Sequence, residues 1–264
     1  AARKGEGIGY FSLSAVLATA IGPFVGMFMM KLENGFDVIF YTNTVLSLLL
    51  LIASLFVKVS ITQKNTNSEL HSQKLSLLEK FIEPKAVPIS FVALLIGFAY
   101  SGVMSFLTFY SREINLVEAS SYFFLAYACV IIISRPYTGK LMDLRGPNII
   151  VYPCLIIFAV GMLLFSQASA SWMLLVAAAL IGLGYGNFNS IAQTIAVKVT
   201  EPHRFGLATS TYFIFYDLGL GIGPFILGMV EAHTTYRVIF ASMIPLVLIC
   251  IPLYYFLVGR KKVL

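Results

Sequence analysis

Apolar residues run along this chain in blocks of about 20, the length that crosses a bilayer as a helix, and short polar stretches close each block. The blocks predict eight helices, over Ile8–Met30, Val38–Val57, Ala86–Phe109, Val117–Ser134, Asn148–Gln167, Ser171–Val197, Phe205–Val230 and Tyr236–Val258. At a rise of about 1.5 Å per residue, each reaches across roughly 30 Å of hydrocarbon. One long polar stretch interrupts the series, "KVSITQKNTNSELHSQKLSLLEKFIEPK" from Lys58 to Lys85, and reads as a linker. Its tail carries Leu75, Leu78 and Ile82 at helical spacing, which suits either a segment lying on the membrane surface or an ordinary solvated linker.

Composition turns that pattern into a fold class. Hydrophobic residues make up 59% of the chain and charged residues 11%, with a mean hydropathy of +0.88. A soluble domain of this size cannot bury so much apolar surface in one core. The expected fold is therefore an all-α polytopic membrane protein. The three cysteines, Cys129, Cys154 and Cys250, lie in apolar runs, and His71, His203 and His233 lie in polar ones, with no metal-ligand spacing among them. No metal, cofactor or nucleic-acid partner is expected; the partner implied is the lipid bilayer.

The net charge of +6 is explained by where the basic residues fall. With the N-terminus placed inside, the segments on the inner side carry 15 Lys and Arg and those on the outer side three, Lys31, Arg112 and Arg237. Acidic residues divide nearly evenly. That bias is the positive-inside signature, and it predicts a multi-pass cell-membrane protein with both ends and the linker in the cytoplasm. The opening "AARKGEGIGY" has neither an initiator Met nor a signal-peptide pattern, as expected of a segment of a longer protein.

Ile-Gly-Pro-Phe occurs twice, at Ile21–Phe24 and Ile222–Phe225, and at the same offset of 201 residues Arg3 falls on Arg204 and Gly5 on Gly206. This is the mark of a diverged internal repeat. The two copies sit on the first and seventh spans, so the repeating unit is six helices, and both copies run outward as parallel repeats. On that reading residues 1–57 hold the last two helices of a first unit, 58–85 the cytoplasmic linker and 86–264 a complete second unit.

These motifs resemble those of the major facilitator superfamily, a twelve-helix transporter fold, and most of all its bacterial drug:proton antiporter branch. The resemblance implies that the spans are helices five to twelve, the C-terminal two-thirds of such a protein, monomeric at full length and lodged in the inner membrane. Gly22, Pro23 and Gly26 match the glycine-proline signature of the fifth helix, and Gly223, Pro224 and Gly228 a related signature on the eleventh. "GKLMDLRGPN" matches the loop between helices eight and nine, giving Gly139, Asp143 and Gly146, with Arg135 before it and Arg145 within it. Pro147 and Asn148 stand where the family usually has a basic pair. In that loop Asp143 is expected to pair with Arg135 or Arg145.

Other polar residues in the spans need partners. Asn187, Asn189 and Gln193 in "GLGYGNFNSIAQ" must face a neighbouring helix or a cavity, and the cavity is favoured, with Asn189 and Gln193 on one face. Ser101, Ser105 and Thr108 form a helical stripe suited to packing. Tyr127, Phe213 and Tyr216 are candidates to line a pocket for an apolar or cationic ligand. Asp217 is the one charged residue placed well inside a span; carboxylates at that depth cost several kcal/mol unless protonated, paired or hydrated, and are usually functional. It shares a stripe with Gly221, Pro224 and Gly228 and is expected to face the protein interior, where it either carries protons or only hydrogen-bonds to a neighbour.

The function that follows is proton-coupled efflux of small amphipathic compounds, with a small-molecule substrate and protons as partners. A sugar or metabolite exporter of the same fold, and a non-functional remnant lacking four helices, are the alternatives. A membrane-embedded enzyme is disfavoured, because no paired acids or histidines stand at metal-holding spacing.

Overall fold

The computed structural model describes residues 18, 21–22, 24–26, 28–30, 32–56 and 80–260. Among them there are helices and no strands. In chain order they are α1 (Gly35–Leu55), α2 (Val87–Glu113), α3 (Val117–Ser121), α4 (Phe123–Arg145), α5 (Asn148–Ser166), α6 (Ser171–Ile181), α7 (Asn187–Lys198), α8 (Phe205–Glu231) and α9 (Tyr236–Tyr254). A π-helical segment, Gly182–Gly186, joins α6 to α7, a second, Tyr255–Gly259, follows α9, and a single 3-10 turn over Pro202–Arg204 leads into α8. Six helical stretches are long and apolar enough to cross a membrane: Gly35–Leu55, Val87–Glu113, Asn148–Ser166, Ser171–Lys198, Pro202–Glu231 and Tyr236–Gly259. The expected first span, Ile8–Met30, falls largely outside the described residues, as do Leu75 and Leu78 of the linker tail.

Span ends follow local chemistry. Pro88 sits in the first turn of α2, where a missing N–H costs nothing. α4 stops at Gly146, whose φ of 84° lies in the left-handed region that glycine occupies without penalty. Gly182, Gly184 and Gly186 occupy the π segment, and each approaches a neighbouring helix. A Cβ on Gly184 would lie 2.5 Å from the Phe158 backbone nitrogen of α5.

The fourth span differs most from expectation. A short α3 breaks at Tyr122, and α4 then runs unbroken to Arg145. Arg135, Gly139, Asp143 and Arg145 therefore lie on a helix, not on a loop. The charged residues that suggested a loop are accommodated because α4 is packed on its buried side and ends where Gly146 turns the chain.

α2 is the central helix and buries 14 of its 27 residues. α8 lies along it, α9 packs on α2 and α5, and α6 and the π segment sit between α4 and α5. The α2–α8 contact is close because glycines remove side chains from the interface. A Cβ on Gly219 would strike the Leu94 carbonyl oxygen, and one on Gly223 the Ser101 hydroxyl. Of the expected serine-threonine stripe, Ser101 is buried in this contact, whereas Ser105 and Thr108 are exposed. One end of the bundle is tied by the Tyr110 hydroxyl, which donates to the Phe165 carbonyl at 2.9 Å, and by Arg237, which donates to the Ala168 carbonyl at 2.8 Å. α1 buries only Gly35.

Candidate functional site around Asp217 and the tyrosine ladder

Asp217 stands 12 residues into α8, about 18 Å along its axis. It is the one carboxylate among the described residues at the middle of a membrane-length helix. Its orientation corrects the expectation. α8 packs through Ala208, Thr211, Tyr212, Gly219, Gly223 and Leu227, and Asp217 points away from that side and is exposed. Gly221 on its stripe is exposed as well, with no atom within 4 Å of a built Cβ. Pro224 and Gly228 are half-buried. Glycines line both sides of α8, and those at 219 and 223 meet α2 most closely, because 3.6 residues per turn set them opposite 217 and 221.

Behind Asp217 lies a ladder of tyrosines. Tyr216, its neighbour in sequence, shares a hydroxyl–hydroxyl hydrogen bond with Tyr185 of the π segment. Tyr185 stacks on Tyr100 of α2 with ring centroids 3.8 Å apart, and Tyr100 stacks on Tyr127 of α4 at 6.0 Å. Tyr212 stacks on Tyr216 at 5.9 Å, and its hydroxyl donates to the carbonyl of Asn189 at 2.9 Å and to its side-chain oxygen. Tyr127 is buried and Phe213 exposed, so the two do not share one wall. Tyr100, Tyr185 and Tyr212 were invisible to sequence reasoning. Their only signal was the glycine-rich setting of Tyr185, which marks close helix approach.

The amides divide between neighbours. The Asn187 side-chain nitrogen donates to the Ser134 hydroxyl at 2.8 Å and to the Leu183 carbonyl at 2.9 Å, and its oxygen accepts from the Thr138 hydroxyl at 3.0 Å. Asn187 thus faces α4, while Asn189 faces α8. Gln193 is buried. Asn189 and Gln193 share a face of α7, as their spacing requires.

Arg135 is the largest surprise. By sequence it belongs to a polar segment beyond a span, and no cation is expected within the spans, yet it is 5% exposed in the middle of the bundle. Its Nη1 donates to the Gly186 carbonyl at 3.4 Å. α4 carries it inward because the helix continues ten residues past it to Arg145. Asp143 pairs with neither Arg135 nor Arg145; it accepts from Lys198 at the end of α7 at 2.8 Å. Lys198 lies across a helix pair and has the reach to meet it, whereas Arg145, two positions along the same helix, points elsewhere. Gly139 has nothing within 4 Å of a built Cβ.

At the same end, Glu83 is 3% exposed. Its carboxylate accepts from Arg204 at 2.5 Å, and its backbone N–H donates to the Thr211 hydroxyl at 2.8 Å. The end of the linker is thereby pinned to the start of α8. Asn148, where the resemblance implies a basic residue, ties α5 to the end of α9 and the π segment after it: its amide donates to the Gly259 carbonyl at 3.0 Å and accepts from the Tyr254 hydroxyl at 2.7 Å. Of the fifth-helix signature, Gly22 and Gly26 have nothing within 4 Å of a built Cβ, and Pro23 lies outside the described residues. Among the described residues no group of three His, Cys, Asp or Glu side chains could hold a metal ion.

The chain resembles curated membrane transporters over most of its length. It is 27% identical over 244 residues to the multidrug resistance protein MdtG of Enterobacter lignolyticus, covering 90% of this chain and 58% of that protein. It is 26% identical over 253 residues to MdtG of Dickeya zeae, covering 94% and 62%. An uncharacterised MFS-type transporter of Methanocaldococcus jannaschii is 25% identical over 226 residues, covering 84% and 58%. The chain therefore spans about three-fifths of the length of the curated relatives it matches. The sequence model of the Major Facilitator Superfamily matches residues 1–168 and again 120–263, so this helical chain belongs to the major facilitator superfamily of membrane transporters.

Proposed function

We propose that the protein exports amphipathic small molecules in exchange for protons, with Asp217 as the group that carries the proton. The observation that carries this reading is a mid-helix carboxylate on the unpacked side of α8, beside the exposed glycine at 221. A bilayer-centre carboxylate persists where it works, and the small residues around it leave room for a ligand or another helix. Substrate sites in folds of parallel six-helix repeats form between the two halves. The unpacked side of α8 then borders that passage, with Phe213 and Tyr216 as its aromatic lining. Asn189 and Gln193 would supply polar contacts from α7, and Asn187 and Tyr127 would support the wall from behind. The names of the bacterial relatives favour drug-like cargo. In the same reading the chain supplies helices five to twelve of a twelve-helix monomer in the inner membrane. The linker and both ends lie in the cytoplasm, a placement supported by the basic residues outside the bundle, 14 on the inner side once the buried Arg135 is set aside and three on the outer side.

Asp217→Asn tests the reading, since it keeps size and hydrogen bonding but cannot titrate. In the full-length protein reconstituted in vesicles, the variant is expected to bind substrate and to lose transport driven by a pH gradient. Wild-type accumulation against the substrate gradient by the Asn variant would assign Asp217 a structural role.

A further inference from the structure

The segment Tyr185–Asn189 bonds to two helices, α4 and α8, that otherwise have little to do with each other. Tyr185 is bonded to Tyr216 of α8, and the Gly186 carbonyl accepts from Arg135 of α4. Asn187 is held by Ser134 and Thr138 of α4, and Asn189 by Tyr212 of α8. Tyr185 and Gly186 lie in the π segment, and Asn187 and Asn189 in the first turn of α7. A π turn carries one residue more than an α turn and can shift register locally, which is why such segments recur at functional sites. Gly182, Gly184 and Gly186 press the backbone of this segment directly against α4 and α5, so a shift of its register is felt by both helices.

We propose that Tyr185 and Asn189 are positioning residues that carry the charge state of Asp217 on α8 to α4, and so to the Arg135–Asp143 stretch. The proposal rests on the reading of Asp217 as the proton carrier. Among the described residues, the titratable and charged groups around Asp217 are Tyr212 and Tyr216 on its own helix, both within its electrostatic reach. From the packed elements come Tyr185 of the π segment, bonded to Tyr216, Tyr100 of α2, stacked on Tyr185, and Arg135 of α4, which acts on Tyr212. A charge appearing on Asp217 reorients the Tyr216 and Tyr212 hydroxyls. Their bonds to Tyr185 and Asn189 then pull on the π segment, and the Gly186 and Asn187 bonds pass the movement to α4. Asp217 acts on the two hydroxyls through space; beyond them the route runs through hydrogen bonds and needs no proton to leave the ladder.

The test reads α4 directly. In the full-length protein, Cys129→Ser removes the exposed thiol, and Tyr137→Cys adds a reporter on α4 at a position 75% exposed. Maleimide labelling in proteoliposomes is measured at acidic and alkaline pH, each rate normalised to denatured protein at the same pH. The parent is expected to show a pH-dependent rate, and Asp217→Asn to abolish that dependence. Tyr185→Phe and Tyr216→Phe, which keep both rings, should each leave less than half of it, and the double variant no less than the weaker single, because both remove one bond. A merely structural loss would lower yield or melting temperature and leave the pH dependence whole. Full dependence in either tyrosine variant, or none in the parent, would overturn the proposal. Whether Asp217 couples protons is read separately from the efflux assay, so an Asn variant without gradient-driven transport beside unaffected tyrosine variants would sink the link alone.

Discussion

Gly219 and Gly223 lie on one side of α8, Gly221 on the other, and Gly228 at its edge, all within a few turns of a single helix. At 219 and 223 an added methyl would collide with α2, while at 221 it would meet nothing. The packed side holds α8 to the central helix through backbone approach and to α7 through the Tyr212–Asn189 bond. The open side carries the carboxylate. Identical residues thus serve tight packing and open space on the same helix, and the residue type alone does not say which.

Substitutions on the two sides should separate these roles. The largest effect is expected from Gly219→Val, which sets a branched side chain against the Leu94 carbonyl. Overpacking usually costs about 1–3 kcal/mol and occasionally more. With rigid backbone as the obstacle, the upper end applies, and detergent-solubilised protein should melt many degrees lower or fail to accumulate. A variant that melts like the parent would mean that α8 is not held at this point. Next comes Tyr212→Phe, also on the packed side. It removes a hydroxyl bonded to Asn189, costs about 1 kcal/mol, and should lower the melting temperature by a few degrees.

Asp143→Asn tests a contact at the end of the bundle, away from both sides of α8. The Asp143–Lys198 pair is partly exposed, with side chains 22% and 28% accessible, and such pairs stabilise by about 0–1 kcal/mol. Near-normal expression with slower transport is expected, and Lys198→Met should match it. Wild-type transport in both would reduce the pair to a topology determinant. The smallest effect belongs to Gly221→Ala, where the new methyl meets open space. Its stability should change by less than about 0.5 kcal/mol, within the range of ordinary surface substitutions. A large loss in detergent would show that the open side of α8 is packed in the protein.

Several spans were legible to within a few residues, as at Asn148–Ser166 and Phe205–Glu231. Hydrocarbon thickness fixes the length of an apolar run, and Gly, Pro and charge mark its ends. The end of the fourth span was not legible, because Arg135 reads as an exit from the membrane while the helix continues to Arg145. A cation reads as surface until a buried carbonyl partner is seen, and Gly186 lies 51 residues away in sequence. Glu83 was equally hidden, since a glutamate in a polar linker gives no sign that Arg204 and Thr211 enclose it. Asp217 stood out because a lone carboxylate in an apolar run is costly wherever it points.

By itself the sequence determined that this is a helical membrane protein, where most of its helices lie, and which residues are anomalous in lipid. Those properties follow from transfer energies and helical rise, which act on each segment alone. The tertiary structure decided which side of each helix is packed, that Tyr185 of the π segment and Asn189 of α7 bond to α8, and that Lys198 rather than an arginine holds Asp143. Helices such as α1, α5 and α9 are apolar nearly all round, so hydropathy carries no phase to orient them. Orientation is chosen instead by close backbone approach and by hydrogen bonds between residues far apart in the chain.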